Sequence, residues 1–115
     1  MRPERRIYPR LCVELPAELE KNDADTLDVT LLDISQGGFL LEGGTELMQV
    51  RQPATVGGAE FNLHFGLADS AIHCHCRMVH QRRVSQHRVQ YGVSILSIDQ
   101  QGFEILDRYI KRHLV

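Results

Sequence analysis

The sequence predicts an all-β domain: a six-stranded antiparallel β-barrel closed by a C-terminal α-helix. Three observations predict it. Six segments read as strands, several of them alternating apolar and polar residues with the period of two that a half-buried strand requires. Glycine, asparagine, aspartate and serine clusters separate these segments at near-regular spacing. The final 18 residues then change to a helical period. Strands with one wet face must bury the other, and a small sheet that closes on itself does so while removing its own edges. A β-sandwich of the same strands is the alternative that strand count leaves open.

Each element follows in order. In LCVELPAELE (11–20), Val13, Leu15, Ala17 and Leu19 alternate with Glu14, Pro16, Glu18 and Glu20. Pro16 has no ladder donor, which predicts an edge position or a bulge. KNDAD (21–25) is turn chemistry, and TLDVTLLDI (26–34) is a second strand rich in β-branched residues. DISQGG (33–38) turns the chain into FLLE (39–42). Residues 42–58 hold four glycines and a proline, and read as a long loop containing a short extended piece. AEFNLHFGL (59–67) alternates Phe61, Leu63 and Phe65 with polar neighbours. AIHCHCRMVHQ (71–81) and RVQYGVSIL (88–96) are two more strands, joined by the polar link RRVSQH. In the tail, Phe103, Leu106, Ile110 and His113 fall at helical spacing, with Ile105, Tyr109 and Leu114 beside them. Asp99 is placed to cap this helix, and Lys111, Arg112 and His113 suit the negative end of its dipole. Gly102 works against the first turn by about 1 kcal/mol relative to alanine. The expected organisation is one domain over 1–115: a flexible basic arm (1–10), the barrel (11–97) and the helix (98–115).

Composition narrows the class. The chain is 43% hydrophobic and 24% charged, ordinary values for a soluble globular fold. No apolar run approaches the roughly 18 residues of a membrane span, so no membrane partner is expected. The N-terminus is basic without the apolar stretch of a signal peptide, which makes the cytoplasm the expected compartment. The three cysteines, Cys12, Cys74 and Cys76, form no disulfide framework. No fused effector domain is expected, so any effector would act in trans. The net charge of −2 is unevenly spread: residues 1–10 carry Arg2, Arg5, Arg6 and Arg10 against Glu4, a balance of +3 that leaves −5 for the rest. A basic arm on an acidic body suits an anionic partner.

Two clusters attract attention and are better explained by structure. His73-Cys74-His75-Cys76, with His64 and His80 nearby, offers zinc-binding atoms. On a strand, though, successive side chains face opposite ways, so the histidines and cysteines separate. Small apolar cysteines inward and histidines outward account for the pattern, and no metal site is expected. Arg77, Arg82, Arg83 and Arg88 make a basic hairpin. Tryptophan is absent, no aromatic ladder accompanies the arginines and the overall balance is acidic. A solvated hairpin tip therefore explains them, and no nucleic-acid polymer is expected as a partner. No Walker loop, dinucleotide fingerprint or marked carboxylate pair appears, so the chain is not expected to be an enzyme.

The arm and the DISQGG turn are more informative together than apart. RIYPR sets Arg6 and Arg10 four residues apart, and Pro9 biases Tyr8 toward an extended conformation. The segment reads as a semi-stiff strap presenting two guanidiniums. With almost no apolar content, the arm is expected to be mobile without a ligand. Guanidinium forks suit phosphate oxygens and the O6/N7 edge of guanine. The Asp33 carboxylate supplies acceptors for donors such as guanine N1–H and N2–H₂, Ser35 serves a phosphate or a base, and Gly38 permits close approach. The set fits an anionic guanine nucleotide. Taken alone, DISQGG is explained by an Asx-type turn in which Asp33 bonds its own backbone.

The combination resembles the PilZ family of cyclic di-GMP receptors, whose pattern is RxxxR in an N-terminal arm followed by [D/N]xSxxG on a small β-barrel. RIYPR supplies the first half; DISQGG supplies the second, with Asp33, Ser35 and Gly38 in register and 22 residues between Arg10 and Asp33. ERRIYPRLCVELPAEL resembles the family's entry into its first strand, and YGVSI its last-strand glycine segment. The segment around His73–His80 lacks the tryptophan often found there in the family.

The resemblance implies a PilZ-like split barrel and a cyclic di-GMP-binding adaptor with no cofactor. Arg6 and Arg10 would grip phosphate and guanine edges; Asp33 and Ser35 would take polar contacts, Asp33 to a guanine; Gly38 would admit the ligand backbone. Arg5, directly before the first motif arginine, is placed to stack on a guanine face, which favours two intercalated cyclic di-GMP molecules over one. The ligand would order the arm over the barrel and so create a surface for an unidentified effector protein. The rival expectation is a nucleotide-independent protein-interaction adaptor on the same barrel.

Overall fold

The computed structural model describes residues 8–21, 25–46 and 59–114. Six strands run in the order β1 (Leu11–Glu20), β2 (Thr26–Ile34), β3 (Gly38–Gly43), β4 (Glu60–Leu67), β5 (Ser70–Arg83) and β6 (Val89–Ile98), followed by α1 (Gln100–His113). They close as β1-β2-β3-β6-β5-β4, with every neighbouring pair antiparallel. The barrel reading holds and the sandwich does not: β1 pairs with both β2 and β4, so the sheet has no free edge.

The inward residues are those that alternation selects. Leu19, Leu31, Leu41, Phe61, Leu63, Ile72, Val89 and Tyr91 are fully buried. Phe39 and Phe65 meet edge to face across the interior, centroids 5.4 Å apart. Pro16 sits one residue before β1 begins to pair with β4, and just past a register shift between Cys12 and Leu15. It stands opposite Thr30 of β2 but has no ladder partner on the β4 side, the edge-like position that a residue without an N–H tolerates. The β4–β5 hairpin turns through Ala68 and Asp69, both at positive φ (49° and 67°), as a two-residue connection between twisted strands demands. The basic hairpin is longer than its sequence suggests: Arg82 and Arg83 still pair with Gln90 and Val89. Of the expected extended piece in 42–58, everything beyond Glu46 lies outside the described residues.

α1 packs on β4 and β5. Leu106 and Ile110 are fully buried, each contributing about 1.5–3 kcal/mol of apolar burial. Asp99 caps the helix, its Oδ1 accepting from the Gly102 N–H at 3.0 Å. Gly102, unfavourable by propensity, is explained here: a Cβ would press into the Asp99 carboxylate and the Ile98 side chain. Among the described residues, no helix is long and apolar enough to cross a membrane.

Candidate functional site

The DISQGG turn is built around Ser35. Its hydroxyl donates to the Gly38 carbonyl (3.0 Å) and accepts from the N–H groups of Gly38 (3.0 Å) and Gly37 (3.3 Å). A hydroxyl has one proton and two lone pairs, so the turn uses its full capacity. The backbone adds Ser35 N–H to Gly38 carbonyl (2.9 Å) and Ile95 N–H to Gly37 carbonyl (2.9 Å), which ties the turn to β6. Gly38 pairs with Ser94, and a Cβ on it would collide with the Val93 carbonyl. The close approach that Gly38 allows is thus, in this structure, the approach of β6 to β3. Gln36 fastens the far side, its Nε2 donating to Asp107 Oδ1 on α1 at 3.1 Å.

With Ser35 making the turn's side-chain bonds, Asp33 is directed elsewhere. Continued alternation after Val29 and Leu31 would send Asp33 straight into the core. A register shift between Leu31 and Asp33, opposite another between Cys12 and Leu15, changes the phase. Ile34 takes the fully buried position instead. Bulges next to sites re-aim side chains in this way. The Asp33 carboxylate is only 13% exposed, and its Oδ2 stands 3.5 Å from Arg10 Nη1. Its Oδ1 is buried without a hydrogen-bond partner among the described residues. An unsatisfied buried oxygen costs about 1–3 kcal/mol, which a donor brought to it would relieve.

The structure therefore brings together Arg10, Asp33, Ser35 and Gly38 from the two halves of the sequence pattern. Arg5 and Arg6 lie outside the described residues. A pocket of about 340 Å³ opens beside these groups, lined on one side by Tyr8, Arg10, Ser35 and Gly38 and on the other by His80 and Gly92. Two of the lining rings rest on glycines. A Cβ on Gly37 would stand 2.7 and 2.8 Å from Cδ2 and Cε2 of Tyr8. A Cβ on Gly92 would occupy the space of the His80 ring. A second register shift, between Met78 and His80, sets His80 opposite Gly92.

Of the pocket residues, Tyr8 and His80 were not singled out as site residues from sequence. Tyr8 registers there only as the residue before a proline, and His80 only as a member of a histidine group. The signal that finds them is the pairing of a ring with a glycine on a neighbouring strand or strap, which needs the register. Tyr8 also qualifies the expected mobility of the arm, because its ring is seated on the turn.

His64, His73 and His75 form a ladder on the outer face. His64 Nε2 meets Glu20 Oε1 at 2.9 Å and its Nδ1 meets His73 Nδ1 at 2.7 Å; His75 bridges Asn62 and Glu60. The His75 and Arg77 hydrogen bonds hold the Glu60 carboxyl below the usual range. Cys74 and Cys76 point inward, sulfurs 3.7 Å apart. Their mutual contact and burial push the Cys76 thiol far up. A thiol held protonated is a poor nucleophile and a poor ligand. The separation of His from Cys follows strand alternation as expected, and among the described residues no three His, Cys, Asp or Glu side chains converge on one point.

Comparison with known proteins agrees with this architecture. A family model for the PilZ domain matches residues 4–112. No curated protein matches the sequence. Among solved structures, the PilZ domain of YcgR from Escherichia coli, determined with cyclic di-GMP, superimposes with a TM-score of 0.70 at 18% identity, covering 95% of this chain and 91% of that one. The Bacillus subtilis inhibitor of motility MotI/DgrA gives a TM-score of 0.73 at 15% identity, covering 99% of this chain and 53% of that one. The K. pneumonia MrkH–cyclic di-GMP complex gives 0.74 at 15% identity, covering 95% and 52%. The chain thus spans about half the length of MotI/DgrA and of MrkH. A six-stranded closed barrel with one C-terminal helix, the arginine strap, the DxSxxG turn and a match along nearly the whole sequence lead to one conclusion: this chain belongs to the PilZ domain family.

Proposed function

We propose that this chain is a cyclic di-GMP receptor that works as an adaptor, the ligand bridging the RxxxR arm and the DxSxxG strand. The observation that carries the reading is the Asp33 carboxylate: buried at the end of β2, faced by Arg10 on one oxygen and, among the described residues, unsatisfied on the other. A guanine Watson–Crick edge presents two N–H donors to such a group. Arg10, and Arg6 four residues before it, supply forks for phosphate and for the guanine O6/N7 edge. Ser35 and Gly38 shape the wall against which the ligand lies; Ser35 reaches the ligand only by exchanging one of its turn bonds. Structures of the YcgR PilZ domain and of MrkH hold cyclic di-GMP on the same fold, which supports the ligand class.

The proposed mechanism is ordering of the arm. Each charge-assisted bond contributes about 1.5–3 kcal/mol, against about 2–5 kcal/mol for ordering a segment. Micromolar or somewhat tighter binding follows. Arg5, stacked on a guanine, favours two intercalated ligand molecules per chain, and a calorimetric stoichiometry near one would remove that part of the proposal. The output is the surface where arm meets barrel, read by another protein.

The test is a titration of the wild type, Arg6→Ala and Arg10→Ala with cyclic di-GMP. Each substitution removes a charge-assisted bond, more than about 1.4 kcal/mol, and is expected to weaken binding at least about tenfold with the fold intact. Wild-type affinity in both variants would overturn the site. Competition by GTP but not ATP is the expected sign of guanine reading; a protein that ignores all three and still engages a partner protein is the nucleotide-independent adaptor.

A further inference from the structure

We infer that Tyr8 is a positioning residue: its ring, seated on Gly37, holds the arm against the DISQGG turn before any ligand arrives and so sets Arg10 at Asp33. The inference deepens the cyclic di-GMP reading, and its affinity arm rests on that reading.

Three observations carry it. First, the space above the Gly37 Cα is filled by Tyr8. The virtual Cβ lies 2.7 and 2.8 Å from two ring carbons, closer than real side-chain carbons approach, so the ring occupies the space that a side chain would fill. Gly37 does not lie in the left-handed region, so its lack of a side chain answers to the ring and not to backbone conformation. Second, the strap is fixed at a second point two residues later, where Arg10 meets Asp33 at 3.5 Å. Two extended residues span about 6–7 Å, so the strap crosses the turn from Gly37 at its exit to Asp33 at its entry. Pro9, between the two anchors, removes the backbone freedom that would let one anchor move without the other. Third, Tyr8 and Arg10 line the same pocket, and Tyr8 keeps 46% of its surface exposed there.

The consequence concerns ordering. Where a ring and an ion pair already hold the strap, the ligand meets an Arg10 guanidinium in place and does not bear the entropy of bringing it there. Removal of the ring should therefore weaken binding by unseating Arg10 from Asp33. The hydroxyl has no part in the argument, so phenylalanine should serve as well as tyrosine.

Two measurements test this. In ligand-free protein, the Gly37 amide and Hα resonances should be displaced by the neighbouring Tyr8 ring. The displacement should persist in Tyr8→Phe and vanish in Tyr8→Ala; identical Gly37 shifts in wild type and Tyr8→Ala would overturn the proposal. In titrations with cyclic di-GMP, Tyr8→Ala and Gly37→Ala should each lose about fivefold or more in affinity, with Tyr8→Phe within about twofold of wild type. The double variant should bind no more weakly than the weaker single, within about twofold, because both changes undo one contact. Multiplicative losses, or wild-type affinity in Tyr8→Ala, would overturn it. Were the wild type not to bind cyclic di-GMP at all, the proposed function would fail, and the ring-current shift would still decide whether Tyr8 seats the arm.

Discussion

The two halves of the site are held in different ways. The turn spends its polar groups on itself: three bonds to the Ser35 hydroxyl, two more between backbone groups, one from Gln36 to α1, and a glycine pressed against the β6 carbonyl. Among its described residues, the strap has one ring on one glycine and one ion pair whose arginine is 41% exposed. Exposed pairs contribute little on their own. The turn is thus part of the fold, while the strap is a lightly attached element that a ligand can take over. Side chains that share one sequence motif accordingly differ in kind. Ser35 and Gly38 are structural in this structure, whereas the proposed function assigns Asp33 and Arg10 to the ligand.

That contrast says that changes in the turn should move stability and changes in the strap should move affinity. The largest effect is expected from Gly38→Ala. The Val93 carbonyl is backbone and cannot give way, so overpacking should cost about 1–3 kcal/mol in a urea melt and binding should fall with it. A melt indistinguishable from wild type would blur the distinction. Arg10→Ala comes next and should do the opposite, at least about tenfold in affinity, roughly 1.4 kcal/mol, with the melting midpoint unchanged. Ser35→Ala removes the acceptor for two N–H groups and should cost about 1 kcal/mol of stability, with affinity lost in proportion to the damaged turn. If it abolishes binding while the melt stays at wild type, Ser35 is a ligand contact first and a turn residue second.

Smaller effects lie outside the turn's own hydrogen bonds. The hydrogen bond from Gln90, with Arg88 beside it, holds the Glu42 carboxyl below its usual value near 4.5; Lys111 and Gln36 hold that of Asp107 below 3.8. Folding therefore favours the ionised forms. Their contribution is fully present above those usual values and is lost as pH falls through the lower folded values. Urea midpoints should be level near neutrality and decline below about pH 4.5, Glu42→Gln flattening part of the decline. The smallest effect is expected from Gln36→Ala, about 0.5–1.5 kcal/mol in the melt, because the turn keeps its own bonds when its tie to α1 is cut.

Much of the fold was legible because it rests on alternation. Phe61, Leu63 and Phe65, or Leu106 and Ile110, announce their buried faces by spacing alone. The motif residues were legible by type. Their division of labour was not, because it depends on register. The shift after Leu31 places Ile34 in the core and Asp33 at the pocket, and one-residue phase changes leave no mark on composition. The same holds for His80 over Gly92, which pairing reveals and sequence distance hides. Gly102 looked like a flaw in the helix until the Asp99 cap showed that a side chain had no room there.

The most direct test of the whole account is a calorimetric titration of the folded wild-type chain with cyclic di-GMP. The expected result is saturable binding in the micromolar range or tighter, with GTP competing and ATP not. No saturable heat up to millimolar cyclic di-GMP, from protein whose melt shows it folded, would contradict it.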